Sequence, residues 1–140
     1  MSRIEPEEQD FDPDTFGEED AARALDEGVR LFNEGRFKDA HEEFEKGWLA
    51  NEAGAADFHK GLVQACICLH HVTAGDQDGA RKLYRGHRAL LGTYLPSFAG
   101  LDVAHLLAEM QRHLSPLLRA RPGERVAPAA PPPTIRAATG

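Results

Sequence analysis

The sequence holds only two cysteines among its 140 residues, and that scarcity closes off a class of protein. Two cysteines cannot staple a small disulfide scaffold, and Cys66 and Cys68 stand only two positions apart. On a helix that spacing turns two side chains about 200° away from each other, so they cannot bridge. Free thiols in an apolar stretch fit a reducing compartment. Long apolar runs are missing as well. The longest, residues 62–72, is interrupted by Gln64, His70 and His71 and is too short to span a bilayer. The chain does not open on a basic stretch followed by an apolar one, so no secretory signal is read there. A cytoplasmic protein without membrane contact is expected.

Excess basic charge is also lacking. The formal net charge is −7, and its distribution matters more than its size. Residues 1–20 carry nine acids against Arg3, a net −8, and the rest of the chain sums to +1. A nearly neutral body does not offer the basic footprint of a nucleic-acid binder, so no nucleic-acid partner is expected. The acidic residues 1–17, with Pro6 and Pro13, predict a disordered lead-in. Residues 120–140, rich in proline and alanine and including Pro131-Pro132-Pro133, predict a disordered extended tail. Between them, residues 18–119 form the domain.

No segment there alternates with period two, so no sheet is predicted. Helical periodicity predicts an all-α fold of about five helices. The first runs from about Glu18 to Asn33, with Thr15 and Glu18 as a capping box. Asn33 to Arg36 makes a turn. The second helix, from Phe37 to about Ala50, places Phe37, Ala40, Phe44 and Trp48 on one stripe. The third, about Asp57 to Thr73, is apolar almost all round, as a central helix should be. Gly75 ends it, and a fourth helix spans about Asp78 to Tyr94. After Pro96 and Gly100, Asp102 is placed to cap the last helix.

A shift of 40 residues superposes Gly28 on Cys68, Gly35 on Gly75, Ala40 on Ala80 and Phe44 on Tyr84. A turn glycine, a small residue and an aromatic recur at fixed offsets, the logic of a helix hairpin whose partners approach at small residues. The first copy resembles a tetratricopeptide repeat. The expected bundle is therefore two tetratricopeptide-like hairpins plus a closing helix. Two blocks carry a closer resemblance. One is Gly28-Val29-Arg30-Leu31-Phe32-Asn33-Glu34-Gly35-Arg36-Phe37, continuing through Ala40-His41-Glu42, Glu45 and Trp48. The other is Asp57-Phe58, Gly61-Leu62-Val63-Gln64 and Leu69-His70-His71, with Gly75 and Gly79-Ala80 following. In content and spacing these resemble domain-of-unknown-function family 309. The resemblance implies a compact α-helical bundle and no established activity. Cys66 and Cys68 depart from it, standing where the family pattern has alanine.

One polar cluster is not demanded by the hairpin scaffold. His41 falls inside the apolar stripe of the second helix, with Glu45 one turn on and Glu42 beside it. On the third helix Gln64 and His71 share a stripe. A structural network would pair these groups, because a buried polar group left unsatisfied costs about 1–3 kcal/mol. A ligand site would instead turn His41, Glu42, Glu45, Gln64 and His71 toward a pocket. His41, Glu45 and His71 could offer a divalent metal two nitrogens and a carboxylate. The second histidine of a zinc-protease helix is absent, however. No glycine-flanked serine nucleophile occurs, and burial would raise the pKa of Cys66 and Cys68. Arg81, Lys82, Arg85 and Arg88 form a basic strip read as a solvated face, and His87 is read as core. The expectation is a non-enzymatic module for protein interaction or self-association. The alternative is a small-ligand- or metal-binding protein, an enzyme among its forms, centred on His41, Glu45, Gln64 and His71.

Overall fold

A computed structural model describes residue 12 and residues 15–50 and 55–139. Five α-helices follow in order: α1 (Glu18–Asn33), α2 (Phe37–Ala50), α3 (Ala55–Ala74), α4 (Gln77–Leu91) and α5 (Val103–Arg119). The all-α bundle read from the sequence is what forms. Most of the acidic lead-in predicted over residues 1–17 lies outside the described residues.

The start of α1 differs from the predicted box. Gly17 is the N-cap, and the Asp20 carboxylate accepts its N–H at 3.0 Å. Only the backward half of a capping box is made, and that half asks nothing of the N-cap side chain. Thr15 bonds instead to the Asp12 carbonyl at 3.2 Å.

The two helix turns separated by 40 residues are built alike. At the first, Leu31 O accepts from Arg36 N at 2.9 Å and Phe32 O from Gly35 N at 3.0 Å. At the second, His71 O accepts from Asp76 N at 2.9 Å and Val72 O from Gly75 N at 3.2 Å. Both turns need a left-handed residue, and Gly35 and Gly75 supply it with φ of +82° and +84°. Ala40, Ala80, Phe44 and Tyr84 are all buried at matching places.

Each helix packs on its successor, and α3 lies between α2 and α4. This position explains its apolar circumference, since Phe58, Leu62, Val63, Ala65, Cys66 and Leu69 are all buried. Close approach comes from small residues. Gly28 of α1 faces the Phe44 ring, Gly47 of α2 faces His59, Gly61 of α3 faces Leu91, and Gly86 of α4 faces Gln64.

After α4 a 3₁₀ turn (Gly92–Tyr94) leads into an antiparallel hairpin of β1 (Ser97–Phe98) and β2 (Leu101–Asp102). The sequence predicted no sheet, and strands of two residues are too short to leave a period. They arise from the turn itself, where Ala99 and Gly100 both take positive φ, as a two-residue hairpin loop demands. Phe58, Tyr94 and Phe98 gather there with ring centroids 4.6–5.3 Å apart. Asp102 caps α5 as expected, accepting from His105 N at 2.9 Å.

Residues 120–139 follow α5. They are extended, as proline-rich chain must be, but they are seated on the bundle. A turn at residues 121–124 reverses the chain, with Glu124 N bonded to Arg121 O at 2.9 Å and Gly123 at φ +81°. The segment then runs back along α5. Ala129 O meets His113 Nδ1 at 2.6 Å, Thr134 Oγ1 meets His105 Nε2 at 3.4 Å, and Arg136 Nε meets Asp102 Oδ2 at 3.0 Å. Ile135 is 2% exposed and joins the core, and Pro133 is fully buried. Burying one isoleucine is worth about 1.5–3 kcal/mol, and composition alone does not register it. Among the described residues, no helix is long and apolar enough to cross a membrane.

Candidate functional site

The polar residues singled out on α2 and α3 do not meet at one point. His41 Nε2 stands 3.9 Å from Glu45 Oε1, both side chains partly exposed, and Glu42 is exposed on the same helix. Gln64 turns toward α4, where its Oε1 is buried against Gly86 without a hydrogen-bond partner. His71 Nδ1 lies 3.3 Å from Asp76 Oδ2. The other oxygen of Asp76 accepts the Gly79 N–H at 2.9 Å and so caps α4. His71 thus braces the turn between α3 and α4. Among the described residues, no three His, Cys, Asp or Glu side chains are gathered to hold a metal. His41, Glu45 and His71 are divided between two separate pairs.

The other sequence candidates find local roles. Cys68 Sγ donates to Ala80 O at 3.2 Å, and burial pushes its thiol up to about 12. Burial raises Cys66 further. Neither offers thiolate near neutral pH. His87 sits in the core, bonded through Nδ1 to Gly61 O at 3.1 Å, and burial drives its pKa down to about 4. On the basic strip, Arg81 pairs with Asp78 and donates to Leu117 O at 3.1 Å, tying α4 to the end of α5. Lys82, Arg85 and Arg88 are exposed. An open groove of about 550 Å³ runs between α1 and α2, lined by charges of both signs including Arg23, Glu27, Glu43 and Lys46. None of the five cluster residues lines it.

The most developed recognition on the described surface is that of residues 124–138. Two side-chain amides clamp this strap. Gln77, the first residue of α4, donates to Glu124 O at 2.7 Å and accepts from Val126 N at 2.8 Å. Asn33, the last residue of α1, donates to Ile135 O at 2.8 Å and accepts from Ile135 N at 2.8 Å. Each amide pairs one donor and one acceptor with the main chain, and so reads extended backbone rather than side-chain identity.

Between the clamps α5 supplies one cation and a histidine. Arg112, held by Glu109 at 3.2 Å, donates to Ala129 O at 3.2 Å and to Pro131 O at 2.7 Å. The guanidinium in turn holds the Glu109 carboxyl below its ordinary value. His113 Nδ1–H donates to Ala129 O, and its own carbonyl accepts from Ala129 N at 3.0 Å. Burial lowers the His113 pKa, keeping the ring neutral. At the far end Asp102 N donates to Arg136 O at 2.9 Å, and Ala138 N donates to Gly100 O at 2.9 Å. The His105 amide holds the Asp102 carboxyl below its ordinary value, with Arg136 adding to it.

Sequence reasoning missed this site. Asn33 was assigned to a turn, and Gln77, Arg112 and His113 carried no signal. Their polar atoms serve backbone groups 16 to 102 positions away, and no local pattern encodes that.

Residues 25–83 match the model of the family described as Domain of unknown function (DUF309). The family resemblance carried by the two sequence blocks therefore stands. The matched segment runs from α1 into α4, and the strap and α5 lie beyond it. No curated protein matches the chain.

Proposed function

That family is defined without an activity, so from the geometry we propose a non-enzymatic helical interaction module that takes up an extended protein segment. The observation that carries this is the strap itself. Its main chain is held by Gln77, Arg112, His113, Asn33 and the backbone N–H of Asp102, and its Ile135 side chain is sunk in the core. Backbone bonds for affinity and one aliphatic anchor for register are a recurring way to bind extended peptides. The like-built turns at Gly35 and Gly75 support reading α1 to α4 as two tetratricopeptide-like hairpins, a scaffold suited to such a task. Buried free thiols at Cys66 and Cys68 support a cytoplasmic setting.

The test uses the full chain carrying Ile135→Asp, which unseats the strap, and a fluorescent peptide of residues 126–139. Anisotropy should report binding to this variant at least tenfold tighter than to the unsubstituted chain, whose groove is filled. Adding Asn33→Ala should weaken it again. Equal and negligible binding to all three proteins would sink the proposal.

The ligand-site alternative keeps one observation in its favour, the unpartnered buried Oε1 of Gln64. Its metal form is tested by chelation. Incubation with EDTA should leave the melting temperature unchanged, and a clear drop would revive the metal reading.

A further inference from the structure

We propose that the strap exchanges between two copies of this chain, residues 126–138 of each seating in the groove of the other. The inference rests on the docking reading above and adds the identity of the partner.

Nothing in the fit of the strap depends on its belonging to the same molecule. Asn33 clamps a residue 102 positions away, and Arg112 and His113 hold Ala129 and Pro131 across the reversing turn. A second copy presents the same carbonyls, the same isoleucine and the same groove. Contacts made within one chain can then be remade, one for one, between two chains.

The hinge has the properties such an exchange needs. The turn at residues 121–124 directs the strap back onto its own α5. It is held by Glu124 N to Arg121 O at 2.9 Å and by Arg121 N to Glu124 Oε1 at 2.8 Å, the latter exposed to water. Gly123 supplies the required left-handed conformation at φ +81°, with nothing within 4 Å of where a side chain would stand. The reversal therefore rests on the turn's backbone and on the Gln77 clamp at Glu124 O, with no buried side chain of its own. Beyond it, Pro128 and Pro131 to Pro133 bias the strap toward extension even when unseated. Less freedom is lost on docking, whichever groove receives it.

Which form prevails is a matter of effective concentration. A tethered strap sees its own groove at roughly millimolar concentration, so the closed monomer dominates in dilute solution. Exchange takes over where fold-back is denied. The full chain carrying Pro122→Ala and Gly123→Ala removes both turn residues, letting α5 continue and aim the strap outward. Size-exclusion chromatography with light scattering should then give a mass of two chains at tens of micromolar. Adding Ile135→Asp should return it to one chain. A hinge variant of normal helicity that stays at one chain overturns the exchange.

Should the hinge variant fail to fold, native mass spectrometry of the unsubstituted chain near 1 mM decides. Dimer present there and absent with Ile135→Asp supports exchange, and monomer alone in both overturns it. The labelled-peptide experiment separates the two layers. Peptide binding with a monomeric hinge variant removes only the exchange, and no peptide binding removes the docking reading with it.

Discussion

At neutral pH the imidazole of His87 is uncharged, donates through Nδ1 to Gly61 O and is otherwise enclosed by core. Burial is the chief cause of its depressed pKa, opposed by the Gly61 bond and reinforced by Arg88. The unfolded chain takes up a proton near pH 6.5 while the folded chain resists until about pH 4. Stability is therefore complete above pH 6.5 and declines as pH falls through that window. A difference of about 2.5 pH units corresponds to about 3 kcal/mol at the acid end. Urea midpoints at pH 7.5 and pH 4.5 should show this loss, and His87→Leu should flatten it while lowering stability at pH 7.5. His41 should behave differently. Its contact to Glu45 is long and partly exposed, and such pairs contribute at most about 1 kcal/mol. His41→Leu should shift the urea midpoint by no more than that. The burial of His87 was legible from its place on the apolar face of α4. The partner of His71 was not, because Asp76 reaches it only once the turn at Gly75 is built.

Helix crossings set a second class of expectations, governed by what meets each glycine. A Cβ at Gly28 would come within 2.6 Å of the Phe44 ring, which is itself buried and cannot swing away. Overpacking of about 1–3 kcal/mol should outweigh the helix-propensity gain of about 1 kcal/mol. At Gly86 the obstacle is Oε1 at the end of the flexible Gln64 side chain. There the two effects should nearly cancel. Chemical denaturation should therefore rank Gly28→Ala clearly below Gly86→Ala, and the reverse order would refute the packing argument. Helix extents were legible within a few residues, because α1, α2, α4 and α5 each bury one stripe and α3 buries residues on most sides of its middle turns. The 3₁₀ turn and the Ser97–Asp102 hairpin were not, since neither is long enough to display a period.

For the molecule as a whole, the strap decides how much of the chain is protected. Ile135→Ala removes the strap's fully buried aliphatic anchor, leaving only the partly buried Val126, and should cost about 2–4 kcal/mol. Hydrogen exchange should localise that loss to the amides of Val126, Ala129, Ile135 and Ala138, whose partners are seated in the native form. Equal protection in both proteins would show that the anchor is dispensable. The strap was illegible in the sequence because one isoleucine among prolines and alanines sets up no pattern, and its partners lie on four separate elements, α1, α4, β2 and α5. Its remoteness from Asn33 also has a temporal side. A ribosome adds about 5–20 residues per second, and Asn33 leaves it long before Ile135 does. The groove is complete only once α5 is made, because Arg112 and His113 form part of it, so the strap follows its own docking site by the 16 positions between Arg119 and Ile135. Asn33 is thus the first part of the site to be made and the last to find its partner.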